Sequence, residues 1–132
     1  MKHITLALTI SVMSAAQLCA DLVPDPAAKA IGATDDQTYK LYQTVTGSQW
    51  DYVWRRTSVE IAFGEDGNIT RSPWRGATWR ITGPHTITIA IENPKAREMV
   101  IHFMNSQKWT CKDWSGDPAY GIRRNPKATQ AK

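Results

Sequence analysis

No two cysteines in this chain stand at Cys-x-x-Cys spacing, and no histidines stand at His-x-His or His-Glu-x-x-His spacing. The residue patterns of structural and catalytic zinc sites are therefore missing, and no motif implies a metal or any other cofactor. The only cysteines are Cys19 and Cys111, and the three histidines, His3, His85 and His102, lie far apart. Beyond Val12 no apolar run approaches the roughly 20 residues that a membrane-crossing helix needs, which excludes a helical transmembrane segment. No internal repeat or low-complexity tract breaks the chain into modules.

The ends read differently from the middle. Lys2 and His3 precede a mostly apolar run from Ile4 to Val12, and small residues follow at Ser14, Ala15, Ala16 and Ala20. That order is the layout of a cleavable secretion signal over residues 1–20, cut after Ala20 or Ala16. The expected location is periplasmic or extracellular. Gln17 and Leu18 interrupt the small-residue pattern that a lipid-anchoring cut before Cys19 requires. With the cut after Ala20, Cys111 is left alone, so no internal disulfide forms and packing must supply stability. Residues 21–34, with Pro24 and Pro26, read as a flexible leader, and residues 125–132 carry no apolar anchor and read as a disordered tail.

Residues 35–124 carry the pattern of one folded domain. Asp35 or Asp36 can cap a helix over Gln37–Thr46, whose Tyr39, Tyr42 and Val45 share a face and whose end is marked by Gly47. Beyond Gly47 the apolar period becomes two, as in Trp50, Tyr52, Trp54; Val59, Ile61, Phe63; Trp79, Ile81; Ile87, Ile89, Ile91; Met99, Ile101, Phe103; and Trp109, Cys111. Turn signals separate these runs: Asp66-Gly67, Gly83-Pro84, Asn93-Pro94 and Asn105-Ser106. The connections are too short for the crossovers of a parallel sheet. The expected fold is mainly β, a seven- to eight-stranded antiparallel up-and-down meander that closes into a small barrel or a strongly curved sheet, with one short N-terminal helix.

Gly47-Ser48-Gln49-Trp50 at the first strand and Arg123-Arg124 at the last resemble the signature of lipocalins and their calycin relatives, in which a Gly-x-Trp opens the barrel and a late arginine covers the tryptophan. This chain has one residue more between glycine and tryptophan. The resemblance implies a barrel closed by Trp50 with Arg123 or Arg124, the guanidinium lying on the indole face. The order of Trp50, Phe63, Asp66-Gly67, Trp79-Arg80-Ile81 and Gly121-Ile122-Arg123 also looks like small, uncharacterised secreted bacterial β-domains, which bring no activity with them.

All six tryptophans fall between Gly47 and Arg123. Trp50, Trp54, Trp79 and Trp109 occupy core-facing strand positions. Trp74, in Ser72-Pro73-Trp74-Arg75-Gly76, and Trp114, before Ser115-Gly116-Asp117-Pro118, occupy turns, where an indole can stack on a sugar ring, an apolar ligand or a protein. Trp74, Arg75, Trp114 and Tyr120 are therefore the candidate ligand-binding residues. The run Ser115 to Tyr120 is also similar to the inhibitory loop of periplasmic C-type lysozyme inhibitors. Beyond Gly47 thirteen Lys and Arg stand against eight Asp and Glu, interleaved with aromatics; export argues against nucleic acid as the partner, leaving anionic polysaccharide or a solvated basic face. A Cys111–His102 dyad conflicts with the inward phase of Cys111, and Glu60 with Asp51 or Asp113 has no spacing that favours glycoside cleavage. The expected function is an exported, non-enzymatic binding module of lipocalin-like type for a small apolar or glycan ligand. The alternatives are a periplasmic protein inhibitor or envelope interaction protein, and a hydrolase using Glu60 or His102.

Overall fold

The computed structural model describes residues 23–92 and 95–124 of the chain. The expected signal over residues 1–20, with Cys19, and the expected tail over residues 125–132 lie outside the described residues.

Two helices precede the strands, where the sequence predicts one. α1, Pro26–Ile31, falls within the segment expected to be a flexible leader. The Asp25 side chain accepts from the Ala27 and Ala28 amides at 3.0 and 3.4 Å, and proline sits in the first turn, where its missing N–H costs nothing. Gly32 ends the helix with φ 112°, and a Cβ there would come within 2.6 Å of the Ile81 carbonyl oxygen. Only glycine permits both the left-handed turn and this approach to the barrel wall. Val23, Ala28, Ile31 and Ala33 are buried, so the segment belongs to the core; its small residues read as a loose leader only while nothing is there to pack on.

α2, Asp36–Thr46, starts with a reciprocal capping box between Asp35 and Thr38 and ends at Gly47, as predicted. It buries Thr38, Leu41, Tyr42 and Val45.

The strands are β1 Gln49–Trp54, β2 Thr57–Phe63, β3 Ile69–Arg71, β4 Thr78–Gly83, β5 Thr86–Ile91, β6 Arg97–Phe103, β7 Lys108–Lys112 and β8 Pro118–Arg123. β1 to β3 and β4 to β8 each pair in sequence, antiparallel, and β8 returns to pair with β1 through Trp50↔Arg123 to Trp54↔Ala119. The remaining seam, between β3 and β4, is held by an Asn68↔Thr78 bridge and by hydrogen bonds from Ile69 N–H to Ala77 O (3.2 Å) and Trp79 N–H to Gly67 O (2.8 Å). The result is the expected meander, an eight-stranded, nearly closed antiparallel barrel. Closure removes the exposed strand edges that an open sheet of this length would present.

Alternation sends Trp50, Ile61, Trp79, Ile87, Ile89, Ile101 and Trp109 inward, all buried. A run of ring contacts fills the barrel lengthwise: Phe103 edge-on to Trp50 (5.5 Å), Trp50 to Trp109 (6.3 Å), Trp109 stacked with Tyr52 (6.0 Å), Tyr52 edge-on to Trp74 (5.0 Å) and Trp74 edge-on to Trp114 (5.7 Å). The first ring lies at one end of the barrel and the last two at the other. α2 crosses the first end: Trp50 Nε1–H donates to Val45 O at 3.3 Å, and the Tyr42 hydroxyl donates to Glu65 O at 3.2 Å. The opposite end is left to its connecting loops.

Candidate functional site

The end away from α2 is formed by the Arg55–Arg56 turn, the loop 72–77, the facing ends of β5 and β6 and the loop 113–117. Each of the two tryptophan loops is held in shape by its own polar side chains. Ser72 Oγ accepts from Trp74 N–H at 2.9 Å, which turns the chain at Pro73 and aims the indole back over the barrel. Asp113 Oδ1 accepts from the Ser115 and Asp117 amides at 3.1 and 2.8 Å, and the Ser115 hydroxyl donates to the same oxygen at 2.8 Å. This is the local bonding that Asp and Ser offer in turns, and it fixes Trp114 at the loop's start.

Between these loops lies a cavity of about 240 Å³. Tyr52, Trp54, Trp74 and Trp114 supply its rings, Val59 and Pro73 its aliphatic surface, and Asp113 its one charged group. The Trp54 and Trp114 indole N–H groups are buried and without a hydrogen-bond partner. An orphaned buried donor costs about 1–3 kcal/mol, so two around one small cavity call for an explanation. The surroundings are poorly solvated. Burial, with Cys111 and Asp113 nearby, holds the Tyr52 phenol well above its ordinary range. Burial and then Asp113 push the Cys111 thiol up to about 12. Both groups stay neutral at any physiological pH.

Arg55 secures this end from outside. Its guanidinium donates to Asp117 Oδ2 from Nε at 3.0 Å and from a terminal nitrogen at 2.6 Å, and lies 4.6 Å from the centre of the Trp54 ring. It has φ 54°, the only non-glycine positive φ among the described residues.

Of the sequence candidates, Trp74 and Trp114 come together, their rings 5.7 Å apart at 89°. Arg75 is exposed beside Trp74 on the same loop. Tyr120 does not join them. Ala119 and Gly121 face inward, so Tyr120 faces out from β8, where Lys108 lies 5.1 Å from its ring centre. The expected tryptophan–arginine closure is also absent. Trp50 and Arg123 are register partners, but among the described residues no guanidinium lies over the Trp50 ring; Trp50 is sealed instead by α2 through Val45. Arg124 turns to the outer wall, pairing with Asp51 at 3.0 Å and with Glu60. Glu60 also pairs with Arg71, so the Asp51–Glu60 carboxylates form a surface ion cluster. His102 faces out from β6, with β7, β8 and β1 between it and Glu60's strand, and Cys111 faces in. No catalytic pair forms from these residues. Among the described residues no three His, Cys, Asp or Glu side chains cluster as metal ligands would, and no helix is long and apolar enough to cross a membrane.

The sequence marks none of Trp54, Tyr52, Asp113 and Arg55 as part of this mouth: it places Trp54 and Tyr52 in the core phase and Asp113 in a carboxylate pair. Trp54 reads as core from its phase, yet it is the last residue of its strand, and a core-phase residue at a strand end lines a barrel's mouth. Comparison of the chain with protein-family models, with curated proteins and with solved structures finds no match.

Proposed function

We propose that the chain is an exported, non-enzymatic binding module that takes a small, flat-faced apolar or glycan ligand into the aromatic cavity at its open end. The observation that carries this reading is the cavity's wall: four aromatic rings around about 240 Å³, two of them with indole N–H groups lacking an acceptor. Sites for small molecules are mostly apolar with a few polar groups that orient the guest. Rings gain from offset or edge contacts with flat partners. The cavity is smaller than the roughly 300–1,000 Å³ of drug-sized sites, which favours guests of one or two rings. The barrel axis is filled by Trp50 and Trp109, so the guest belongs at the mouth rather than in a central lipocalin-like chamber. The exported setting rests on the secretion-signal pattern of residues 1–20. A non-enzymatic role is supported by the neutral, inward Cys111 and by Glu60 and His102 standing on separated outer walls.

The test is a fluorescence and calorimetric titration with monosaccharides, cell-wall fragments and one- and two-ring compounds. A saturable change for at least one class, lost in Trp74→Ala and in Trp114→Ala, is expected. A flat response across the panel, or binding that survives both substitutions, overturns the reading.

A further inference from the structure

The charge around the mouth narrows the ligand further. Arg55, Arg56, Arg75, Lys95, Arg97 and Lys112 stand in or beside the four connections at this end, against Glu92, Asp113 and Asp117. Two of those three carboxylates are already engaged: Asp117 by Arg55, and Asp113 by the amides and hydroxyl of its own loop. Arg56, Arg75 and Lys112 are exposed and make no ion pair among the described residues. Each is the chain neighbour of a residue that lines the cavity, Thr57, Trp74 and Asp113 respectively. Lys112 follows the inward Cys111 and faces out from β7, so Arg56 and Arg75, on the two connections beside the apolar cavity, are the cations best placed at its rim.

The cavity wall has the opposite preference. The Asp113 carboxylate borders the cavity, and the neighbouring Tyr52 and Cys111 are held in their neutral forms. A second anion placed beside Asp113 would meet like charge in a poorly solvated setting. Cavity and rim together set one orientation: apolar body inward, negative group outward.

We infer that the ligand is an amphipathic anion, a one- or two-ring body bearing a single carboxylate or comparable acid group that meets Arg56 and Arg75 at the rim. This rests on the mouth being the binding site. The charge is exposed, so it adds selectivity and salt dependence more than raw affinity.

The test uses three probes of one shape: 2-naphthoate, its uncharged amide 2-naphthamide, and the cation 2-naphthylmethylammonium. Affinity should fall in that order, with naphthoate about fivefold tighter than the amide at low salt, as two exposed ion pairs supply. The preference should shrink at high ionic strength. In the double variant Arg56→Gln/Arg75→Gln, naphthoate should weaken to the level of the amide while the amide binds as before. Equal affinity for all three probes, or preference for the cation, overturns the anionic assignment and leaves the mouth as a site. Failure of every probe, the uncharged one included, counts against the mouth itself. A double variant that lowers all three affinities alike also overturns the assignment, because it would mark the arginines as structural.

Discussion

The Trp109 indole occupies the space where a side chain on Gly121 would begin. The two residues are register partners on β7 and β8, and Tyr52 is the partner of Gly121 on β1. Trp109 and Tyr52 stack across the glycine, 6.0 Å apart and 24° from parallel. A glycine in a central strand weakens it, but here large rings from both neighbouring strands cover the gap, and the barrel's central layer depends on it.

Gly121→Ala should therefore behave as an overpacking mutation, costing about 1–3 kcal/mol or more, because the new methyl overlaps the Trp109 indole, which is itself packed against Tyr52 and Trp50. The cost should fall sharply when the same change is made in a Trp109→Leu background. A double-mutant cycle from urea denaturation measures this. Additive effects would mean that the close approach does not constrain the core.

Arg55 joins a left-handed backbone conformation to an ion pair and a ring contact, and these make different predictions for different substitutions. Its ion pair with Asp117 is solvent-exposed, so losing it should cost no more than about 1 kcal/mol. Alanine keeps the strained φ, which costs about 1–2 kcal/mol, whereas glycine relieves it. Arg55→Gly should accordingly be more stable than Arg55→Ala by about 1 kcal/mol, the reverse of the usual order outside turns. Thermal or chemical denaturation of the two variants decides it. If alanine is the more stable, the β1–β2 turn takes another conformation in solution.

The meander was legible because its evidence is local. Period-two alternation marks each strand, and a turn signal marks most connections. Whether the meander closes was left open by the same local signals; the β1–β8 ladder and the β3–β4 seam decide it for the barrel. α1 was not legible, because Pro26–Ile31 is small and weakly apolar and becomes core only when Gly32 lets it reach Ile81. Of the mouth, Trp74 and Trp114 stood out as indoles in turns. Trp54 did not, since strand phase gives inward direction but not depth along the barrel. Tyr120 was misplaced for the converse reason. Its nearness to a loop in sequence concealed that Ala119 and Gly121 on either side take the inward phase. The arginine closure failed because α2 already supplies Trp50 with a carbonyl at Val45, leaving nothing for a guanidinium to seal.

Three desolvated groups, Cys111 and Tyr52 near the cavity and Tyr42 on α2, predict how stability responds to alkali. The Cys111 thiol is raised in the folded state from 9.0 to about 12, chiefly by burial and then by Asp113. Burial likewise raises the Tyr52 and Tyr42 phenols above 10.0. In each case the unfolded chain releases its proton first. From about pH 9 upward the folded state holds more protons than the unfolded state, and stability falls as pH rises. Below pH 9 these three groups leave the stability curve flat. Urea midpoints at pH 8, 9, 10 and 10.5 should fall over the last three points. Cys111→Ala should remove the first part of the decline, between pH 9 and 10, and leave the later tyrosine part in place. In the intact fold the thiol should resist a thiol-specific reagent at pH 8 and react fully once urea unfolds the chain. Rapid labelling of the native protein at pH 8, or an unchanged alkaline slope in Cys111→Ala, would place the thiol at the surface rather than under the aromatic mouth.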